Sequence, residues 1–268
     1  MMNRNSDAQG HKPCVIALHC SLGSGRQWSR LSQALGPGYQ VIAPDISGYG
    51  DNRGWLEMPV TLAEEIAFLG DGIDRATGPV HLVGHSYGCA IAFKMATASP
   101  FAGRIRSLTL IEPVLPTLLD DDDADRNGFA QLSRRVSVDL ENGRGSQAID
   151  KFMHFWNGSA PAEELPPEAR LRMIERVDKI PFDFTAAFDE LNVAAAAASI
   201  HVPTLLIFGG LSPRLTQRIV ERLASTIGAA ETRHVHTAGH MLPLTHGKLV
   251  NPEIAAHIMR ADDFACIP

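Results

Sequence analysis

The sequence lacks the features that would tie it to a membrane, a nucleic acid or the cell exterior. No apolar run in its 268 residues approaches the ~20 residues that span a bilayer. The opening MMNRNSDAQGHKP holds no apolar core of the kind a secretory signal carries, so it reads as a loose polar arm. Positive charge is not in excess: the net charge of -6 excludes the basic footprint of nucleic-acid binding. Cysteine is scarce. Cys14, Cys20, Cys89 and Cys266 form no CxxC pair, and without a secretory signal they make no disulfide framework. They read as small buried apolar residues of a protein kept in a reducing, cytoplasmic setting.

What is present is an alternation. CVIALH (14–19), YQVIAP (39–44), VHLVG (80–84), IRSLTLIE (105–112), PTLLIFG (203–209) and ETRHVHT (231–237) are short apolar runs of strand type. Helical patterns lie between them, near 25–35, 60–77, 87–98, 213–227 and 246–260. Strand–helix alternation of this kind predicts an α/β fold with a mostly parallel sheet and helices on both faces.

One interval breaks the rhythm. From Pro113 to about Ile200 there is no strong strand, and a structureless loop of that length does not suit a compact domain. Its patterns are helical. In SQAIDKFMHFWN, the residues Ile149, Phe152, Met153 and Trp156 share a face. PPEARLRMIERV groups Leu171, Ile174 and Val177, and DFTAAFDELNVAAAAAS carries Phe184, Phe188 and Leu191. The expectation is a core built from 1–112 and 201–268 and a helical cap, or lid, from 113–200. Six of the eleven Phe residues fall in the cap, where they can pack against the core or line an apolar pocket. The aspartate run in LLDDDDADRNG (118–128) lacks the spacing of a calcium loop and reads as a solvated loop leading into a helix, with no metal expected.

The chemistry rests on Gly84-His85-Ser86-Tyr87-Gly88, a G-x-S-x-G pattern set between a strand and a helix. A turn that tight needs small residues on both sides of the serine. It lifts the hydroxyl above the sheet, beside a helix N-terminus. A serine hydroxyl needs a base within hydrogen-bond reach, and the base needs an acceptor to fix its tautomer. Of eleven histidines, His81, His234 and His236 fall within strand patterns, and His85 points away from Ser86 by strand-like alternation. His240 follows the last strand, at the carboxyl end of the sheet.

With these motifs the chain resembles the α/β-hydrolase fold family from Pro13 onward. LHCSLGSGRQW is similar to the family's His-Gly-x loop, APDISGYGDN to its Pro-Asp-x-x-Gly-x-Gly segment, and TAGHMLP to its late Gly-His loop. The resemblance implies Ser86 as nucleophile and His240 as base. It also implies an oxyanion hole from the backbone N–H groups of Ser21 and Tyr87. There are departures. Cys20 stands where Gly is usual. Only 13 residues precede the first strand where many members have two further strands, so a sheet of about six strands is expected. Members commonly carry an Asp where this chain has Ser212, and LLIFGGLSPRL (205–215) contains no acid at all. Asp45 falls on a segment that shapes a loop. Some members, including part of the haloalkane dehalogenase group and its coelenterazine-oxidising relatives, take the acid from the strand after the nucleophile's helix. Here that position is Glu112, whose rival role is a salt bridge to the cap.

The resulting expectation is a serine hydrolase acting through an acyl-enzyme on a small-molecule carboxylic ester with apolar groups. It needs no cofactor. Leu22, Phe152, Trp156 and Met241 border the expected pocket. A C–C bond hydrolase, an acyltransferase, a lactone or amide hydrolase, and a slow-turnover small-molecule receptor fit the same residues.

Overall fold

The computed structural model describes residues 12–52, 61–73, 76, 78–98, 102–158 and 165–265. Cys266 lies outside them. Six strands form one sheet: β1 (Cys14–Leu18), β2 (Gln40–Ile42), β3 (Val80–His85), β4 (Ile105–Ile111), β5 (Thr204–Gly209) and β6 (Ala230–Val235). Their order is β2-β1-β3-β4-β5-β6 and every pairing is parallel. The chain starts at β1, steps to one side for β2, then crosses to the other side for β3. The carboxyl ends of β1 and β3 therefore flank the point where strand order reverses, the usual place for a ligand in an open α/β sheet.

Side chains alternate between two buried layers because successive strand residues point to opposite faces. Cys14, Ile16 and Leu18 join one layer with Leu82, Leu110 and Leu206, while Val15 and Ala17 join the other with Val83, Ile111 and Ile207. Helices α1 (Ser29–Leu35), α11 (Leu242–Thr245) and α12 (Gly247–Ala265) cover the second face. Helices α2 (Leu62–Phe68), α3 (Gly70–Ile73), α4 (Tyr87–Ala98) and α10 (Arg214–Thr226) lie on the first. The pattern read as one helix over 60–77 is thus two, parted at Leu69 just before two glycines, and residues 60, 74, 75 and 77 fall outside the described residues. Among the described residues no helix is long and apolar enough to cross a membrane.

Between β4 and β5 the described chain is helical: α5 (Ala124–Glu141), α6 (Gly145–Asn157), α7 (Pro167–Ile174), α8 (Ile180–Asp189) and α9 (Val193–Ala198). Two expectations need correction here. Leu171 and Leu191 do not join the apolar faces assigned to them; both are exposed. Leu191 lies in a break between α8 and α9, where Asn192 takes φ 59°. The aspartate run is also less solvated than expected. Asp123 is buried and caps α5, accepting from the N–H groups of Asp125 at 2.9 Å and Arg126 at 3.2 Å. Arg218 of α10 pairs with both Asp123 and Asp125, and Arg222 with Asp120. The run ties α5 to α10.

Candidate active site

Ser86 follows β3 at a turn with no spare room. A Cβ on Gly84 would lie 2.7 Å from the Cα of Cys89, and one on Gly88 would lie 2.5 Å from the carbonyl oxygens of Leu18 and His19. Ser86 itself has φ 56°, in the left-handed region that side chains disfavour. Its N–H is anchored on Ile111 O at 2.9 Å, and α4 starts at the next residue.

Glu112 is the first residue after β4 and is also left-handed, at φ 55°. The turn carries its buried carboxylate across the end of β5. Oε1 accepts from the Gly209 N–H at 2.6 Å and from Ser212 Oγ at 2.7 Å. Oε2 accepts from Thr216 Oγ1 at 2.6 Å and lies 3.0 Å from His240 Nδ1. The strand end without an acid of its own supplies three donors to an acid from its neighbour.

His240 completes the line, with Nε2 2.8 Å from Ser86 Oγ. A carboxylate can only accept, so the ring carries its proton on Nδ1 and turns the Nε2 lone pair toward the hydroxyl. The ring is held from two sides. Trp156 stacks on it, with centroids 4.1 Å apart and planes at 23°. His85 points away from Ser86 and donates Nε2–H to the His240 carbonyl at 2.9 Å, while its Nδ1 accepts from Gln27 at 3.2 Å. Burial, with His240 nearby, pushes the His85 pKa down to about 3, so this brace stays neutral. His236, read as a strand residue, lies just past the end of β6 at Val235.

The loop after β1 forms the facing wall. Buried His19 donates Nδ1–H to Cys20 O at 2.7 Å and accepts the Ile46 N–H on Nε2 at 2.9 Å. Burial lowers its pKa, so it is neutral. Leu22 is left-handed at φ 61°. Asp45 accepts the N–H groups of Gly25 and Asp51, each at 2.7 Å, and so shapes the adjoining loop. Cys20 is a packed thiol whose pKa burial pushes up to about 12.

Two spaces open beside Ser86. The first is bordered by Ser21, Ser86 and Tyr87 together with Phe129, Phe152 and Asp183. The second is bordered by Ser86, His240, Leu22, Met153, Met173 and Met241. Phe152 and Trp156 border both. A wider groove, bordered by Trp156, Leu165 and Leu244, shares His240 and Met241 with the second. All the residues named from sequence as nucleophile, base, acid, oxyanion donors and pocket wall thus converge here.

Sequence reading missed a buried polar cluster behind the first space. Lys179, wholly buried, lies 2.6 Å from Glu65 Oε1 and 2.7 Å from Asp183 Oδ1. Asp183 Oδ2 accepts from Ser21 Oγ at 2.5 Å and Tyr49 OH at 2.6 Å, and Tyr87 OH donates to Glu65 Oε1 at 3.2 Å. Burial raises the Glu65 pKa. It works against the charge of Lys179, but Asp183 and Glu65 outweigh it and that pKa is raised too. Only the i,i+4 spacing of Lys179 and Asp183 was visible locally.

The chain is similar to known proteins along most of its length. A family model for the alpha/beta hydrolase fold matches residues 13–247. A haloalkane dehalogenase of Bradyrhizobium diazoefficiens is 24% identical over 96% of this chain and 90% of its own length. The lipase LipV of Mycobacterium tuberculosis is 34% identical, but over only 38% of this chain and 37% of the lipase. Among solved structures, an alpha/beta hydrolase of Sphaerobacter thermophilus superimposes with a TM-score of 0.66 and 25% identity over 92% of each chain. A serine turn after the third strand, a histidine after the last, an all-parallel sheet and a family match along most of the sequence lead to one assignment: this chain belongs to the α/β hydrolase fold family.

Proposed function

We propose that the protein is a serine hydrolase that cleaves a carboxylic ester through an acyl-enzyme. The observation that carries the reading is the unbroken line from Ser86 Oγ to His240 to Glu112, with steps of 2.8 Å and 3.0 Å. In this reading His240 takes the Ser86 proton as the hydroxyl attacks the ester carbonyl. Glu112 then stabilises the imidazolium. The backbone N–H groups of Ser21 and Tyr87 receive the developing oxyanion, and collapse of the tetrahedral state expels the alcohol as His240 returns the proton. Water repeats the sequence on the acyl-enzyme.

The two spaces divide the substrate. The leaving alkoxide must lie near His240 to collect its proton, and His240 borders the second space but not the first. The acyl group therefore occupies the first space and the alcohol the second. Methionines 153, 173 and 241 line the alcohol side and can adapt to varied groups. Residues 113–200 act as a cap over a core of 1–112 and 201–268, and the cap chooses the acyl group. The presence of Ser at 86, where a dehalogenase of this fold uses Asp, supports ester chemistry over halide displacement. Three buried free thiols, Cys14, Cys20 and Cys89, fit a cytoplasmic location.

A fluorophosphonate probe should label the protein at Ser86, and Ser86→Ala should abolish labelling and lower turnover of an activated acetate ester by about 10³-fold or more. Full turnover by the alanine variant sinks the reading.

A further inference from the structure

The acyl space is not purely apolar. Its walls are mostly Phe129, Phe152, Phe184 and Val114, yet Asp183 also borders it. A paired carboxylate beside an aromatic chamber is expensive to keep from water. A plain alkyl group would offer no donor to the acceptor site that the carboxylate has left. The acceptor count leaves room for one. A carboxylate offers about four lone-pair sites. Asp183 uses three of them, on Lys179, Ser21 and Tyr49.

A second group in the same wall points the same way. Trp156 borders the acyl space and is buried, and its indole Nε1–H has no hydrogen-bond partner. Its ring face is already taken by His240. The residues bordering the chamber thus include one whose donor lacks an acceptor and one whose acceptor has spare capacity. A hydroxyl satisfies both at once, since it donates one proton and accepts on its oxygen. An ammonium can only donate. It would also meet the Lys179 ammonium, which sits 2.7 Å from the same carboxylate.

We infer that the chamber beside Ser86 is a subsite for a short acyl group bearing a hydroxyl, which donates to Asp183 and accepts from the Trp156 indole N–H. This rests on the serine hydrolase reading and narrows its substrate to esters of short hydroxy acids. Asp183 is then a specificity-determining residue. Through Ser21 it also positions the loop that supplies one oxyanion donor. Lys179 and Glu65, buried behind it, hold the carboxylate in place.

The test compares nitrophenyl esters matched in chain length: butyrate, 3-hydroxybutyrate and 3-aminobutyrate. The wild-type protein should favour the hydroxy ester over butyrate by about 10-fold or more in kcat/KM, the scale on which a site built for a hydroxyl rejects its absence. Trp156→Phe keeps a ring against His240 but removes the N–H, and Asp183→Asn weakens the acceptor. Each should lower the hydroxy-to-alkyl ratio several-fold, whatever happens to the rate common to both esters. A misfolded variant would not remove the test, because the wild-type ratio stands alone. So does binding: free 3-hydroxybutyrate should bind the wild-type protein more tightly than butyrate in a calorimeter. A wild-type preference for butyrate or the amino ester, equal binding of the two acids, or ratios unchanged in both variants would overturn the subsite. If butyrate ester is turned over without a hydroxyl preference, the subsite fails and the hydrolase reading stands. If no ester is turned over and Ser86 resists the probe, the hydrolase reading fails, and the binding comparison still decides the subsite.

Discussion

In the proposed hydrolase, Glu112 is one residue that carries a displaced role. Its carboxylate is fixed by four donors from three later segments: the Gly209 N–H, Ser212 Oγ, Thr216 Oγ1 and His240 Nδ1. Four donors on one buried carboxylate hold it in a single orientation toward His240. Its left-handed backbone marks the same point, because a strained non-glycine turn persists only where its surroundings demand it. Glu112→Gln keeps the shape but offers His240 no charge and can present the wrong tautomer. Turnover should fall by roughly 10²–10⁴ with little change in melting temperature. Adding Ser212→Asp to that variant should restore part of the rate, since Ser212 Oγ lies 2.7 Å from the Glu112 carboxylate in the parent. A Glu112→Gln protein with near-normal turnover and a clearly lower melting temperature would make Glu112 a structural partner only. Glu112 was legible in the sequence because the acid was missing from 205–215 and present at the next strand end. Its donors were not. Thr216 is one more helical threonine until β5 and α10 are placed beside it.

Helix α6 is the element that most directly sets the space proposed for the acyl group. Its buried face carries Ile149, Phe152 and Trp156, as the periodicity of SQAIDKFMHFWN predicts. The two aromatics differ in what they touch. Trp156 stacks on His240, so its removal would disturb the proposed base itself. Phe152 borders both spaces and meets Trp156 and Phe184 edge to face rather than stacking on His240. Phe152→Leu should therefore widen the chamber without touching the relay. Relative to acetate, a hexanoate ester should gain about 10-fold in kcat/KM, the worth of added room for methylenes in an apolar pocket. Equal changes on both esters would reduce Phe152 to a packing residue. Elements with one strong period were readable in this way, the β3–turn–α4 unit above all. Elements whose partners are remote were not. The Lys179–Glu65 pair spans 114 residues and leaves no local trace, and neither does the bond from Ser21 to Asp183 across 162. The aspartate run looked solvated because its arginine partners lie on α10, about a hundred residues later.

At the scale of the whole molecule, the parallel sheet is buried on both faces, and it draws histidines into the interior as neutral rings. His19, His81, His85 and His257 are all buried, and burial lowers each pKa, to about 3 for His85 and about 4 for His257. The sign of the consequence follows from proton counts. Below about pH 6.5 these residues bind protons in the unfolded chain but not in the folded one. Stability must then fall as pH drops from 6.5, down to about 4 for His257 and about 3 for His85. Glu65 acts in the opposite sense, since its raised pKa favours the folded state at low pH, but it is one group against four. Asp139, held low by Lys151 and Arg144, adds to the loss only in stronger acid. His257 offers a clean probe. It lies on α12, bonded to the Pro203 backbone, and among the described residues its Nε2 has no hydrogen-bond partner. Between pH 7 and 5 it should cost about 1–2 kcal/mol, or a few degrees in melting temperature for a chain of this size. His257→Leu removes that titration along with the unsatisfied nitrogen. Calorimetric melting curves should show the parent losing more stability than the variant between pH 7 and 5, with the gap widening toward acid. Parallel curves would mean that His257 is protonated in the folded protein, and that the acid limit is set elsewhere.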